Sequence, residues 1–248
     1  MSSNTDFLLA LEGVTVSFDG FRAVDGLNLY VDQDELRVII GPNGAGKTTV
    51  LDLICGRTRL SEGSIKFRNQ EISGLKENEI VKLGVGRKFQ TPSIYEDLNV
   101  FENLEISLPR GRNVLGALLW KRSEEITGRV REIAEMVFLD QHLDRRAETL
   151  SHGQKQWLEI GMLLIQDPEL MMLDEPVAGM SVAERIRTAE LLATVARGRA
   201  VIVIEHDMKF VESIADRVTV LHQGKVLAEG SMDAIQRDPR VKEVYLGH

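Results

Sequence analysis

Apolar positions recur in different rhythms along the chain, and each rhythm predicts a different element. From Phe7 to Phe18, Leu, Val and Phe alternate in part with polar residues, as in a strand. Leu27 to Val31 alternates apolar and polar residues, and Ser64 to Phe67 does so after a glycine. Together these predict short antiparallel strands with one wet face. Leu36 to Ile40 differs: it is a mainly apolar run that stops at Gly41, the pattern of a parallel strand buried on both faces. Leu170 to Leu173, stopping at Asp174, and Ala200 to Ile204, stopping at Glu205, have the same character. Val218 to Leu221 predicts a further short strand before a His222-Gln223-Gly224-Lys225 turn. Helical stretches follow several strands, as at Lys47 to Cys55 and Val182 to Ala196. Strand then helix, repeated, predicts an α/β core with an N-terminal antiparallel β subdomain. The middle of the chain is helical in pattern: Ile126, Val130, Ile133, Ala134 and Val137 recur at helical spacing. Residues 92–161 are therefore expected to form a helical subdomain inserted within a single domain of 248 residues. Arg110-Gly111-Arg112-Asn113 is its most loop-like break.

Composition narrows the class. With 43% hydrophobic and 27% charged residues, the chain can bury a real core, which excludes disordered and collagen-like classes. Lys plus Arg number 30 against 38 Asp plus Glu, a net charge of -8. Binding driven by neutralising nucleic-acid phosphates is not expected from such a chain. The only cysteine is Cys55, so neither an internal disulfide nor a cysteine-built zinc site can form, and a reducing compartment is expected. The start, Met1 to Asp6, is polar and lacks the pattern of a signal peptide. Val38 to Ile40 and Val201 to Ile204 fall far short of the ~20 apolar residues that span a bilayer. The expectation is a soluble protein that docks on a membrane partner.

Gly41-Pro42-Asn43-Gly44-Ala45-Gly46-Lys47-Thr48 matches the G-x-x-x-x-G-K-[ST] pattern at every fixed position, between a buried strand and an apolar helix. Glycines let the backbone curl so that its N–H groups point at phosphate oxygens, and a helix N-terminus adds partial positive charge. In such a P-loop Lys47 reaches the β- and γ-phosphates, and the Thr48 hydroxyl ligates Mg²⁺. Thr49 completes the candidate nucleotide-binding set. Leu170 to Glu175 is an apolar strand ending in two carboxylates. Asp174 is placed to hold Mg²⁺ directly or through water, and Glu175 to polarise the water that attacks the γ-phosphate.

With these motifs the chain resembles, over nearly its whole length, an ATP-binding cassette, the ATP-hydrolysing subunit of ABC transporters. Leu150-Ser151-His152-Gly153-Gln154 resembles that family's LSGGQ signature, with His152 in place of its first glycine. Gln90, closing Arg87-Lys88-Phe89-Gln90, matches the Q-loop, and His206, just after the strand Val201 to Ile204, matches the switch histidine. Ala178-Gly179-Met180-Ser181 falls where the D-loop belongs, with Ser181 replacing an acidic residue or Asn. Phe18, or less well Phe21, sits where the family stacks an aromatic on adenine. Simpler readings stand beside these. Ser151 and Gln154 also form a helix capping box, Phe18 also suits strand core, Trp120 and Trp157 suit packing, and Tyr95 with Val114 to Trp120 suits core or a surface for a membrane subunit.

The resemblance implies ATP and Mg²⁺ as ligands, with Gln90 among the metal ligands and Glu175, His206 and Gln90 in the catalytic set. It implies that Ser151, Gly153 and Gln154 close over the ATP of a second cassette, the same chain or a different one, head to tail. It also implies integral membrane permease subunits as partners, a place on the cytoplasmic face of the membrane, and no nucleic acid. Phe89-Gln90-Thr91-Pro92, an Ala228-Glu229-Gly230 turn and Val244-Tyr245-Leu246-Gly247 resemble importers of branched-chain amino acids and related small polar solutes. The stretch Leu150 to Glu159 most resembles the urea-importing members. Two alternatives are a P-loop enzyme phosphorylating a small substrate, against which the signature argues, and a non-transport cassette acting on DNA or ribosomes, for which no basic face or tandem repeat is seen.

Overall fold

In a computed structural model, which describes residues 7–18, 20–88, 94–109 and 123–246, the run Leu36–Ile40 becomes strand β3 with all five residues buried. The other fully buried runs behave alike, as β7 (Leu170–Asp174) and β8 (Ala200–Ile204). With β6 (Val85–Lys88), β9 (Arg217–His222) and β10 (Lys225–Gly230) they form a six-stranded sheet in the order β10-β9-β3-β8-β7-β6. β3 runs parallel to β8 and β9, and β8 parallel to β7. The one-sided alternating segments form a second, four-stranded antiparallel sheet, β2-β1-β4-β5, from β1 (Leu9–Phe18), β2 (Phe21–Val31), β4 (Glu62–Phe67) and β5 (Gln70–Glu71). Helix α1 (Lys47–Ile54) buries Val50, Leu51, Leu53 and Ile54 in a core shared with Leu9, Leu11, Ile39, Met172 and Ile202.

Ala228-Glu229-Gly230 is not a turn. These residues pair with Val220, Thr219 and Val218 in the antiparallel edge strand β10, with a register shift between Val226 and Ala228. An edge strand with one wet face and a bulge keeps little of the alternation that marks a strand in sequence.

The chain divides into two compact units. One comprises Met1–Arg87, Glu169–Pro176 and Leu192–His248, and the other Lys88–Pro168 and Val177–Leu191. The first also holds α2 (Glu77–Lys82), α7 (Met208–Ile214), α8 (Met232–Arg237) and α9 (Pro239–Leu246). The second holds α3 (Val100–Ile106), α4 (Glu124–Met136), α5 (His152–Leu164) and the start of α6 (Val182–Val195). It thus reaches beyond residues 92–161 and takes in the 177–191 segment. Leu104, Ile133 and Val137 close around Gly161, where no side chain keeps the helices apart. Trp157 packs edge-on against Phe138 with ring centroids 5.1 Å apart and donates to Thr188 Oγ1 at 2.9 Å. No helix among the described residues is long and apolar enough to cross a membrane. Cys55 is buried behind α1, and burial pushes its thiol up to about 11, which makes it a poor nucleophile.

One residue inside the run of β3 is charged. Arg37 is wholly buried and donates to Glu35 Oε1 (2.6 Å), Glu229 Oε2 (2.5 Å), Thr219 Oγ1 (2.9 Å) and the Tyr30 carbonyl (2.6 Å). It therefore ties β2, β3, β9 and β10 together. Removing one member of a buried ion pair leaves the other charge uncompensated, which costs about 3–5 kcal/mol. Arg37→Leu is expected to lower unfolding stability by about that much, read as a fall in the urea midpoint. An unchanged midpoint would show the network to be dispensable.

Candidate active site

The Gly41–Gly46 loop joins the end of β3 to the first turn of α1. Gly46 caps α1 at φ 97° and offers no side chain to the helix amides. A Cβ there would lie 2.6 Å from the Ala23 carbonyl. Glycine thus serves both the left-handed backbone and the close approach, and leaves the helix N-terminus bare for an anion. Asn43 and Gly44 are exposed at the loop tip, Ala45 is buried, and Thr49 is half-buried in the first turn of α1. Lys47 Nζ folds back on the loop and donates to the Gly41 (2.7 Å) and Pro42 (3.0 Å) carbonyls. Burial pushes the Lys47 ammonium down, while the charges of Glu175 and Asp174 push it back up. The loop is held from below by Gly224 N donating to the Ala45 carbonyl at 3.1 Å.

The sheet order sets β8 between β3 and β7, all parallel, so their C-terminal ends open side by side, where ligands of open α/β sheets bind. From β7 comes Asp174, buried, whose Oδ2 accepts from Thr48 Oγ1 at 3.4 Å. Arg87 Nη2 lies 3.7 Å from the same oxygen, and its Nη1 donates to Asp52 at 2.6 Å. Glu175 follows with φ 48°, a left-handed conformation that a non-glycine residue holds at some cost and that marks functional turns. Its N–H donates to the Ile204 carbonyl at 3.0 Å. From the end of β8 comes His206, whose Nδ1 is 3.5 Å from Glu175 Oε1. Glu205, buried just before it, accepts from the His206 and Asp207 amides at 3.0 and 3.4 Å and so fixes the turn that presents the histidine.

A carboxylate in reach of an imidazole can take a proton from water and orient it. The Thr48 hydroxyl with the buried Asp174 carboxylate is a hard-oxygen pair that fits Mg²⁺, which is usually held by one or two protein oxygens plus substrate phosphates. Arg87 and Glu205 were not singled out from sequence; Glu205 was legible only as the stop to an apolar run, and Arg87 only as part of the Q-loop stretch. Gln90 lies outside the described residues, as do Val114 to Trp120 and Gly247. Phe18 pairs with Phe21 at the tip of the β1–β2 hairpin, and both rings are exposed, 51% and 67%. Exposure removes the core reading of Phe18 and leaves its face open.

In the second unit Ser151 is the N-cap of α5. Its hydroxyl accepts from Gln154 N at 3.2 Å, and its own N–H donates to Gln154 Oε1 at 3.0 Å. The capping box is present, and it orders a helix N-terminus that has Ser151 and His152 on the surface. Gly153 is buried against Glu184.

A buried parallel strand, a glycine-rich loop, a bare helix start and carboxylates on the neighbouring strand ends define a P-loop ATPase. The pattern of the ABC transporter family matches residues 24–178, and that of the branched-chain amino acid ATP-binding cassette transporters matches residues 225–248. The high-affinity branched-chain amino acid transport ATP-binding protein BraF of Pseudomonas aeruginosa is 38% identical over 97% of this chain and 98% of its own. LivG of Escherichia coli K12, of the same description, is 36% identical over 97% and 98%. A crystal structure of the ADP conformation of an ABC transporter's ATP-binding cassette superposes with a TM-score of 0.86 at 32% identity, covering 98% of this chain and all of that one. The chain belongs to the ABC transporter family, as an ATP-binding subunit of the branched-chain amino acid importer type. Its reaction is ATP hydrolysis in an importer. Nothing in the site or in these comparisons favours a small-substrate kinase or a non-transport cassette.

Proposed function

We propose that this subunit drives import of branched-chain amino acids from the cytoplasmic face of the membrane, bound peripherally to integral permease subunits. The observation that carries the site is the meeting of Lys47 and Thr48, Asp174 and Glu175, and His206 at three adjacent strand ends. The loop from Gly41 through Gly46, with Lys47, Thr48 and Thr49, binds the phosphates, and Phe18 stacks on the adenine. Thr48, Asp174 and Gln90 hold Mg²⁺, which when bound offsets charge on the β- and γ-phosphates. Glu175 takes a proton from the attacking water, and His206 holds that water in line with the γ-phosphate; the work is positioning and charge stabilisation. Ser151, Gly153 and Gln154 face the nucleotide of a second cassette, head to tail, as the resemblance of this segment to the family's signature implies.

The names of BraF and LivG support the solute, while the Leu150 to Glu159 stretch favours urea as a second reading. The test is to solubilise membranes with the tagged chain, identify the co-purifying permease subunits, and titrate the binding protein that serves them with leucine, isoleucine, valine and urea. Binding of the aliphatic amino acids is expected. Heat of binding from urea alone overturns the solute, and absence of any permease subunit overturns the transport role.

A further inference from the structure

His152 stands where the family's signature usually has a glycine, and its ring is not idle. Nε2 is 3.0 Å from the Ala178 carbonyl. A carbonyl only accepts, so Nε2 carries the hydrogen and donates. The same ring covers Gly179, where a Cβ would lie 3.0 and 3.1 Å from His152 Cδ2 and Nε2. The buried Gln156 amide, one turn along α5, lies 3.4 Å from the same nitrogen and flanks the ring. A second contact joins the same two pieces of chain. A Cβ at Gly153 would strike the Glu184 carboxylate, which accepts from both the N–H and the hydroxyl of Ser181 at 2.8 Å. Hydrogen bonds from the Ser181 backbone and hydroxyl, with a further one from Ser151, hold Glu184 below the usual carboxylate range. The two positions at which this chain departs from its family's motifs, His152 and Ser181, thus lie in one cluster, and each contributes a hydrogen bond to it.

We propose that His152 is a positioning residue for ATP hydrolysis: its ring fastens the N-terminus of α5 to the Ala178–Met180 segment, so that both shift together when Ser151 meets the nucleotide of the second cassette. This rests on the sandwich described above. Ala178 is three residues beyond Glu175 in the chain, so a restraint on this segment limits the backbone freedom of the base. A glycine at 152 has no donor and no ring to supply the tie, whereas glutamine can place an N–H about where Nε2 lies.

The test compares His152→Gly with His152→Gln. Without nucleotide, amide hydrogen exchange of residues 177–181 in the full chain is expected to quicken about fivefold in His152→Gly, the effect of losing one modest hydrogen bond. In the complex with its membrane subunits, kcat is expected to fall about tenfold, with KM for ATP within about twofold, as a displaced catalytic group would produce. His152→Gln is expected to restore both. Unchanged exchange, unchanged kcat, or an equal defect in His152→Gln overturns the proposal. The sandwich is read separately: a Glu175→Gln chain that stays monomeric with ATP, alone and with its partner cassette, overturns the sandwich and the role of His152 with it. If that dimer forms while His152→Gly turns over normally, only the role of His152 falls.

Discussion

Glu175→Gln is expected to lower single-turnover ATP hydrolysis by a factor on the order of 10² to 10⁴, the usual contribution of a general base, while ATP still binds. Glutamine keeps the length and the hydrogen-bonding reach of the side chain but cannot accept a proton from water. The backbone at this position is left-handed at φ 48°, and the substitution asks nothing new of it. The surrounding groups also persist: Ile204 still receives the backbone N–H, His206 still stands opposite, and Lys47, Thr48 and Asp174 are untouched. Binding without hydrolysis then accumulates the closed pair of cassettes, visible by size-exclusion chromatography with Mg²⁺ and ATP. Hydrolysis at the wild-type rate would mean that the base is elsewhere.

Lys47→Ala is expected to remove measurable ATP binding. Two buried-side carboxylates, Asp174 and Glu175, face the place where the phosphates must come, and both raise the Lys47 ammonium against its own burial. That ammonium is half-buried and is held by two loop carbonyls, which a triphosphate can replace with stronger, charge-assisted bonds. Without it the phosphates lose the charged donor that the loop supplies beside those two carboxylates. At about 1.5–3 kcal/mol for each hydrogen bond to a charged group, losing two such bonds weakens binding by about 10² or more. Calorimetric titration with ATP reads this directly; wild-type affinity would overturn the phosphate-loop assignment.

The strands that carry the site were legible because each is an apolar run with an abrupt polar stop. Gly41, Asp174 and Glu205 end β3, β7 and β8 in the structure as in the pattern, and the motif residues fall at those stops. Helix limits were legible to within one or two residues: Val137 caps α4, and Phe138 turns to φ 61°, so the helical spacing overran its end. What was not legible depends on distant neighbours. Ala228 to Gly230, a turn by the importer resemblance, is a strand because Val218 to Val220 offers it an edge. Arg37 vanishes inside an apolar run because its partners come from β2, β9 and β10, up to 192 residues away. Phe18 is ambiguous by alternation, since only the hairpin tip decides that its ring is outside. Arg87 earns its place through Asp52 and Asp174, neither of which is near it in sequence.

The Arg37 network also acts as a proofreader of assembly. Side chains of a strand alternate between faces, so a slip of β3 by one residue against β8 and β9 turns every one of them over. For most of β3 the error is nearly silent, because valine and isoleucine are at home on either face of a covered parallel sheet. Arg37 is the exception. In the slipped pairing its guanidinium keeps only Glu35, which moves with it on the same strand, and loses Thr219 and Glu229 on β9 and β10, leaving a buried charge short of partners, a costly defect in a core. A strand that is otherwise free to misalign is thereby given one permitted alignment. The loop that follows Ile40 inherits it: a phosphate cradle tolerates little displacement, and its placement is helped by a charge four residues before Gly41.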